Sequence, residues 1–181
     1  MRHVAPVRAE LRTRTLFNLL GPLANPAEAD GQVMGVFDPA LVVPIAGVLQ
    51  NLGVRHAFVL SSLDGMDEIS LSGPTLVAET VDGSIRNFEV RPEDYGISPA
   101  PREAIRGGDA AENAELLRRV LQGERGPCRD IVVLNAAPAL VTGRAAADIA
   151  EGIRLAGAVL DAGKALEKLE GLVRFTRHPS F

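Results

Sequence analysis

The chain has 181 residues, of which 46% are hydrophobic and 23% are charged, a composition that suits a folded domain with a substantial core and excludes disorder. A formal net charge of -4, a single Tyr and no Trp argue against nucleic-acid binding, which uses basic patches and aromatic faces. The lone Cys128 excludes an internal disulfide and any metal site built from several cysteines, and it favours a reducing compartment.

The amino-terminal sequence lacks the apolar core of a secretory signal, and no run in the chain reaches the roughly 18 apolar residues of a membrane span. We therefore expect a cytoplasmic protein without a membrane partner. The same stretch contains four arginines and lacks the short polar segment with which many domains begin. They are Arg2, Arg8, Arg12 and Arg14. From this start we expect the chain to be part of a longer protein.

Strand and helix patterns alternate after this stretch. Residues 31–38 have strand composition, 39–53 place apolar residues at helical spacing, and 55–62 again have strand composition. One strand, one helix and a second strand of these lengths predict a right-handed parallel crossover.

The middle of the chain indicates a hairpin and then a helix. Residues 75–90 contain Asp82-Gly83 between two alternating runs, which is a strong hairpin signal. Residues 91–108 form a connection punctuated by Pro and Gly. The pattern of 109–123 predicts a helix that begins at an Asp cap and ends on a glycine.

The last third is helical by our interpretation. Residues 129–143 are a continuous apolar run that fits a buried strand or a buried helix, and we favour a helix although Pro138 counts against it. Residues 145–176 form a long amphipathic pattern, broken near Gly163, that would cover one face of a sheet. The predicted fold class is α/β, with a partial parallel sheet flanked by helices.

Three carboxylates follow the second predicted strand: Asp64, Asp67 and Glu68. Ligands of open parallel sheets collect beyond the carboxyl ends of the strands. Paired carboxylates suit Mg²⁺, which bridges one or two of them to substrate phosphates. The alternative is a solvated turn in which Asp64-Gly65 bends the chain and the acids are merely exposed, and composition alone favours this turn.

A second unusual segment, FNLLGPLANPAEADG, contains Gly21-Pro22 and Asn25-Pro26. Since the residue before a proline is pushed out of helical geometry, we predict a short helix that ends in a rigid loop. Such a loop fits a simple connector, and it equally fits a wall for a flat aromatic ligand whose carboxylate pairs with an upstream arginine.

Four segments, in this order and at these separations, resemble the C-terminal half of anthranilate phosphoribosyltransferase over nearly the whole chain. They are RHVAPVRAELRTRTLFNLLGPLANPA, DGMDEIS, GGDAAENA and RDIVVLNAAPAL. The resemblance implies a fold like that of nucleoside phosphorylases and phosphoribosyltransferases. It also implies transfer of a phosphoribosyl group from phosphoribosyl pyrophosphate to anthranilate with Mg²⁺, a step of tryptophan biosynthesis.

The resemblance further implies roles for individual residues. Arg8 matches the arginine that engages the carboxylate of anthranilate. Gly21 and Pro22 match the loop that lines the anthranilate entrance. Asp67 and Glu68 match the acidic pair that binds Mg²⁺ on the pyrophosphate side.

Other positions are less well determined. Arg14 is an alternative to Arg8 for contact with the substrate. We assign no catalytic residue, because the reaction needs no covalent nucleophile and Cys128 has no His nearby in the sequence, so that it is read as an ordinary, partly buried residue.

Two departures from the family accompany the resemblance. Residues 61–63, Ser-Ser-Leu, replace the usual His-Gly before the acidic segment. The upstream helical segment and the glycine-rich pyrophosphate loop of the family have no counterpart here. We interpret Gly107-Gly108 as a turn before a helix cap at Asp109 and not as a substitute for that loop.

These features divide the expected domain organisation at residue 30. Residues 1–30 are predicted to be a helical segment and Gly-Pro/Asn-Pro loop on the anthranilate side, belonging to a missing helical domain, and 31–181 the C-terminal part of the α/β domain. We expect the isolated chain to be inactive and prone to self-association through an unpaired sheet edge. The resemblance implies a homodimer for the longer protein.

Two further hypotheses stay open from sequence. One is a relative of the pyrimidine nucleoside phosphorylases, because the segment RTLFNLLGPLANP resembles both groups. The other is a remnant that binds ligand without catalysis, because the glycine-rich loop is missing.

Overall fold

A four-stranded sheet lies at the centre of the protein, in the order β1-β2-β3-β4. The structure is a computed structural model that describes residues 10, 11, 15 and 17–177. The strands are β1 (Gly31–Gly35), β2 (His56–Ser62), β3 (Thr75–Val81) and β4 (Ser84–Val90). Strand β1 is parallel to β2, whereas β3 is antiparallel to both of its neighbours, so the sheet is mixed and only its first pair is parallel.

Helices cover both faces of this sheet. Within residues 17–177 they are α1 (Phe17–Leu23), α2 (Val42–Asn51), α3 (Ala110–Leu121), α4 (Pro127–Thr142), α5 (Ile149–Asp161) and α6 (Lys164–Arg177). Short 3-10 turns occur at Pro39–Leu41, Pro92–Tyr95 and Arg102–Ile105. None of the helices that the structure describes has both the length and the apolar character needed to cross a bilayer.

The unit β1-α2-β2 confirms the predicted parallel crossover. Ile45 and Leu49 of α2 are buried against Ala57 and Val59 of β2, in the core of one sheet face. Asp38 caps the turn before α2: its carboxylate accepts a hydrogen bond from the backbone amide of Ala40 at 2.9 Å. The apolar spacing of the sequence therefore marks the buried side of the helix correctly.

The predicted hairpin is also confirmed. Asp82 and Gly83 join β3 to β4 with φ angles of 46° and 83°. Positive φ at both central residues gives a two-residue turn the twist that flanking strands require, and Asp and Gly tolerate that geometry.

Helices α4 and α5 cover the opposite sheet face. Leu134 and Val141 of α4 pack with Phe58 and Leu60 of β2 in a second core. The helical interpretation of this apolar run is confirmed, and Pro138 lies buried inside the helix. A proline here forfeits one helical hydrogen bond, and its apolar ring is buried in return.

Helix α5 lies very close to α4. A side chain at Gly152 would place its Cβ 2.8 Å from the carbonyl oxygen of Ala137, so glycine permits the approach.

Buried Arg129 also joins the two helices, because its Nη1 donates to Oδ1 of Asp161 at 2.8 Å. This hydrogen bond lowers the pKa of Asp161 below its ordinary value. A buried guanidinium needs such a partner.

The remaining helix ends follow their sequence signals. Asp109 and Glu112 form a capping box at the start of α3. Gly163, with φ of 71°, separates α5 from α6, which confirms the predicted break in the long amphipathic pattern.

Candidate functional site

The acidic loop, residues 63–74, joins the carboxyl end of β2 to β3. One backbone hydrogen bond closes its ends: the amide of Leu63 donates to the carbonyl of Pro74 at 3.0 Å. A second, from the amide of Ser62 to the carbonyl of Met66 at 2.9 Å, closes the turn that begins the loop. The two ends of the loop therefore lie side by side at the carboxyl end of β2.

Asp64 holds the loop together from inside. Its carboxylate accepts hydrogen bonds from the Ser70 hydroxyl at 2.6 Å, from the Ser72 hydroxyl, and from the amide of Met66 at 3.1 Å. Partial burial acts to raise the pKa of Asp64, but these hydrogen bonds favour the charged form and lower the pKa to about 2. Asp64 thus performs the turn role that the sequence suggested.

Asp67 and Glu68 differ from Asp64 in exposure and in hydrogen bonding. Both are exposed, and within residues 17–177 neither carboxylate takes part in a hydrogen bond or an ion pair. Their oxygens are available to a ligand. The three carboxylates of the sequence therefore separate into one structural anchor and one free pair.

The free pair lies where the two parallel strands end. A Cβ atom at Gly35, the last residue of β1, would stand 1.7 Å from the carbonyl oxygen of Asp67, so the loop backbone rests directly on this strand. Because the loop itself leaves β2 at Ser62, the pair sits at the carboxyl ends of both β1 and β2. That edge is the usual ligand position in sheets with parallel strands.

Asn135 of α4 fixes the loop from a third direction. Its Oδ1 accepts from the amide of Ile69 at 2.8 Å, and its Nδ2 donates to the carbonyl of Ile69 at 2.8 Å and to that of Ile131 at 3.0 Å. Sequence reasoning missed this residue. The available signal was a polar side chain within an otherwise apolar helical run.

Arg102 is a second residue that sequence reasoning missed. Its Nη1 donates to the backbone carbonyl of Asp64 at 3.1 Å, from the 3-10 turn Arg102–Ile105. The amide of Ala100 donates to the carbonyl of Leu71 at 3.0 Å. The connection after β4 thus supports the outer side of the acidic loop.

The free pair fits a magnesium ion that is shared with a substrate. Among the described residues no group of three or more His, Cys, Asp or Glu side chains is placed to hold a metal. Zinc, which needs three or four protein ligands of the His and Cys type, does not fit such a pair. Mg²⁺ does, because it keeps several waters and uses one or two carboxylates together with phosphate oxygens.

The segment before the loop shows how the sequence departure is accommodated. The Ser62 hydroxyl donates to the carbonyl of Pro74 at 3.4 Å, which supports the closed loop ends. The Ser61 hydroxyl is buried and has no partner in the part of the chain that the structure describes. The side chain of Ser62 therefore helps to close the acidic loop, whereas that of Ser61 does not.

Gly21 and Pro22 require a correction. The sequence predicts that α1 ends before them in a rigid loop, but α1 continues to Leu23, so both residues lie in its last turn. The preference of the residue before a proline for extended geometry is overridden in α1, as it also is at Ala137-Pro138 in α4. Gly21 is exposed, and no atom lies within 4 Å of the position of a Cβ there.

The structure does not join these residues to the acidic loop. The carbonyl of Pro22 accepts from Gln32 Nε2 at 3.3 Å, near the amino end of β1, whereas Asp67 rests on Gly35 at its carboxyl end. A cavity of about 710 Å³ beside Pro22 is lined by residues of α1, of the loop that follows it, of the start of β1 and of the end of α2. The two candidate arginines, Arg8 and Arg14, lie outside the described residues.

Cys128 agrees with its interpretation as an ordinary residue. It is partly buried in the first turn of α4, and its Sγ donates to the carbonyl of Ala104 at 3.6 Å. It contacts the 3-10 turn of the connection after β4 and makes no hydrogen bond to residues 63–74 in the part of the chain that the structure describes.

Comparison with known proteins gives one consistent result. The model of the glycosyl transferase family, a/b domain, matches residues 1–166. The anthranilate phosphoribosyltransferase of Symbiobacterium thermophilum is 53% identical over 176 residues, which cover 97% of this chain and 52% of the relative. Solved structures agree, with the anthranilate phosphoribosyltransferase of Thermus thermophilus showing a TM-score of 0.90 at 45% identity over 98% of this chain and 53% of that one.

The anthranilate phosphoribosyltransferase of Saccharomyces cerevisiae, in complex with PRPP and Mg, has a TM-score of 0.84 at 26% identity, covering 94% of this chain and 49% of that one. The chain spans about half the length of the curated relatives that it matches. The predicted α/β fold of the phosphoribosyltransferase and nucleoside phosphorylase type is confirmed. With a family model that covers residues 1–166 and relatives more than half identical, the chain belongs to the glycosyl transferase family, a/b domain.

Proposed function

We propose that the chain carries the metal-binding part of an anthranilate phosphoribosyltransferase. The reaction joins the amino nitrogen of anthranilate to C1 of phosphoribosyl pyrophosphate and releases pyrophosphate, as a step of tryptophan biosynthesis. The observation that carries the proposal is the pair of free carboxylates, Asp67 and Glu68, at the carboxyl ends of two parallel strands. The similarity to anthranilate phosphoribosyltransferases over 97% of the chain supports it.

The chemistry explains why free acids are useful at this position. Breaking the bond from C1 to the pyrophosphate oxygen builds negative charge on the leaving group. Mg²⁺, when bound, neutralises that charge and so lowers the barrier. In this scheme Asp67 and Glu68 hold the hydrated metal, and Asp64 keeps the loop that carries them in a fixed shape.

The anthranilate side is assigned to the amino-terminal part of the chain. Arg8 engages the carboxylate of anthranilate in this proposal, with Arg14 as the alternative, and Gly21 and Pro22 line its entrance. The amine of anthranilate is a modest nucleophile, so holding it in line with C1 contributes more than deprotonation by a strong base. The scheme uses no covalent nucleophile.

The surroundings of the reaction complete the proposal. Residues 1–30 serve as part of a helical domain, and 31–181 as part of the α/β domain. The working protein is a cytoplasmic homodimer that binds neither nucleic acid nor membranes. Net charge of -4 and a single cysteine agree with this setting.

Loss of anthranilate fluorescence in the presence of phosphoribosyl pyrophosphate and Mg²⁺ tests the proposal. Two proteins are compared: the chain alone, and the chain joined to the part of the Symbiobacterium thermophilum relative that it does not match. We expect turnover in the joined protein and none in the chain alone. The double variant Asp67→Asn, Glu68→Gln should lower turnover in the joined protein by about 100-fold or more.

The matched control is Glu115→Gln in α3, which removes an exposed acid that, like the pair, makes no hydrogen bond or ion pair within residues 17–177. This variant should turn over anthranilate at the unaltered rate. Turnover by the chain alone would show that it contains the whole site. Absence of anthranilate turnover in both proteins would contradict the proposal. Thymidine phosphorolysis would then identify a phosphorylase relative, and Mg²⁺-dependent pyrophosphate binding without turnover would identify a binding remnant.

A further inference from the structure

The backbone at Ile69, directly after the free acidic pair, is buried but belongs to no strand. Ile69 itself is 1% exposed. Buried amide and carbonyl groups need hydrogen-bond partners, and the ones at this residue receive theirs from a side chain and not from a neighbouring strand. That side chain is Asn135 of α4, which pairs with both groups at 2.8 Å.

Asn135 uses its hydrogen-bonding capacity almost entirely for this purpose. The oxygen accepts from Ile69, and the two protons of the nitrogen go to the carbonyls of Ile69 and Ile131. Because the bond to Ile131 lies within α4 itself, the amide plane is fixed relative to the helix. The helix in turn is packed into the core through Leu134 and Ala137, both fully buried.

The acidic pair is therefore held on two sides. On one side the carbonyl of Asp67 rests on Gly35, where there is no room for a side chain. On the other side the residue after Glu68 is clamped to α4 by Asn135. The side chains of Asp67 and Glu68 make no hydrogen bonds of their own within residues 17–177, so the position of their carboxylates depends on supports of the loop backbone such as these two.

We propose that Asn135 is a positioning residue for the metal-binding pair: by clamping the backbone of Ile69 it holds the carboxylates of Asp67 and Glu68 at the spacing that a divalent cation requires. The proposal rests on the proposed function, since it presumes that the pair binds a divalent cation. Residues that orient metal ligands without touching the metal alter metal affinity by about 10- to 100-fold when they are replaced.

Broadening of amide NMR signals by Mn²⁺ provides the test, because it detects weak binding and locates it in the chain. In the unaltered chain we expect selective broadening of the signals of residues 64–70 as Mn²⁺ is added. Asn135→Ala should raise the Mn²⁺ concentration needed for half-maximal broadening by about 10-fold.

The chain offers a matched control in Asn113 of α3. Its side chain makes the same pair of bonds with one residue, accepting from the amide of Gly108 at 2.9 Å and donating to its carbonyl at 3.0 Å, in the turn before α3. Asn113→Ala should leave the Mn²⁺ response unchanged. Equal weakening by both variants would mean that the effect is a general loss of order, and it would overturn the proposal.

The double variant Asp67→Asn, Glu68→Gln separates the two possible failures. If the unaltered chain shows no selective broadening, or if the double variant retains it, the metal role of the pair is wrong and the positioning role falls with it. If the double variant abolishes the broadening while Asn135→Ala responds like the unaltered chain, the pair binds metal but Asn135 does not position it.

Two measurements keep the proposal testable if Asn135→Ala does not fold. Gly35→Ala disturbs the pair from the other side, because the new Cβ would displace the carbonyl of Asp67, and it should weaken the Mn²⁺ response similarly. In the unaltered chain the amide of Ile69 should exchange with solvent much more slowly than that of Glu68, which donates no hydrogen bond within residues 17–177. Equal exchange at the two amides would overturn the proposal.

Discussion

Acidic side chains lie near both ends of strand β2, in opposite situations. At the amino end, Glu79 of β3 is 4% exposed and accepts a hydrogen bond from His56 at 2.7 Å and another from Arg86. At the carboxyl end, Asp67 and Glu68 are exposed and have no partner within residues 17–177. A buried carboxylate is tolerated only with such partners, whereas an exposed one retains its water and remains available to a ligand.

The register of the sheet explains the arrangement at the amino end. Glu79 stands opposite Phe58 on β2 and opposite Arg86 on β4, so the cation reaches it across one strand pair. The guanidinium of Arg86 also lies 5.1 Å from the centre of the Phe88 ring. The comparison teaches that charge alone does not identify a functional acid in this fold, while the bonds already made by each carboxylate do.

The largest effect on stability is expected from Glu79→Ala. The change removes the acceptor of partly buried His56 and of exposed Arg86, so the free energy of unfolding should fall by about 2 kcal/mol. Urea denaturation measures it. Asp30→Ala is the control, since its ion pair with Arg55 is exposed and should be worth less than about 1 kcal/mol. Equal losses from the two variants would remove the distinction between buried and exposed acids.

A smaller and pH-dependent effect is expected from Asp64→Asn. The folded-state pKa of Asp64 is lowered from 3.8 to about 2, so its stabilising contribution is fully present above pH 4 and is lost as the pH falls towards 2. Urea denaturation of the variant and the unaltered chain should therefore show a difference that is largest near neutral pH. That difference should shrink between pH 4 and pH 2. A difference that stays constant over this range would contradict the anchoring role of the Asp64 carboxylate.

The smallest effect on stability is expected from the double variant Asp67→Asn, Glu68→Gln. Because these carboxylates make no hydrogen bonds within residues 17–177, their replacement should change the free energy of unfolding by less than about 0.5 kcal/mol. Thermal unfolding in the absence of metal measures it. A loss as large as that of Glu79→Ala would mean that the pair supports the fold, and the proposed ligand role would lose its basis.

Local sequence signals predicted the elements well but not all of their pairing. The crossover through α2 and the Asp82-Gly83 hairpin follow from spacing and turn chemistry within short windows. The antiparallel pairing of β2 with β3 depends on how the acidic loop closes, through bonds such as that from Leu63 to Pro74. Spacing within each strand does not reveal such a loop, and the prediction of a partial parallel sheet therefore missed that most of the sheet is antiparallel.

The candidate site was predicted only where its residues are adjacent in sequence. Asp67 and Glu68 were identified together, but Asn135 bonds a residue 66 positions away and its role depends on packing of α4 over the sheet. Gly21 and Pro22 show the opposite failure, since the preference of residues before proline for extended geometry is overridden within α1. Prediction was limited by tertiary contact in the first case and by a local preference that the helix overrides in the second.

The close approach at Gly35 limits how the acidic loop can be reused in protein engineering. A graft of residues 63–74 onto another parallel sheet would need a glycine at the end of the neighbouring strand, since any side chain there would collide with the carbonyl of Asp67. It would also need an amide side chain on the covering helix to satisfy Ile69. The transferable unit is therefore a set of three pieces distant in the chain, and a loop moved by itself would carry the acids without their geometry.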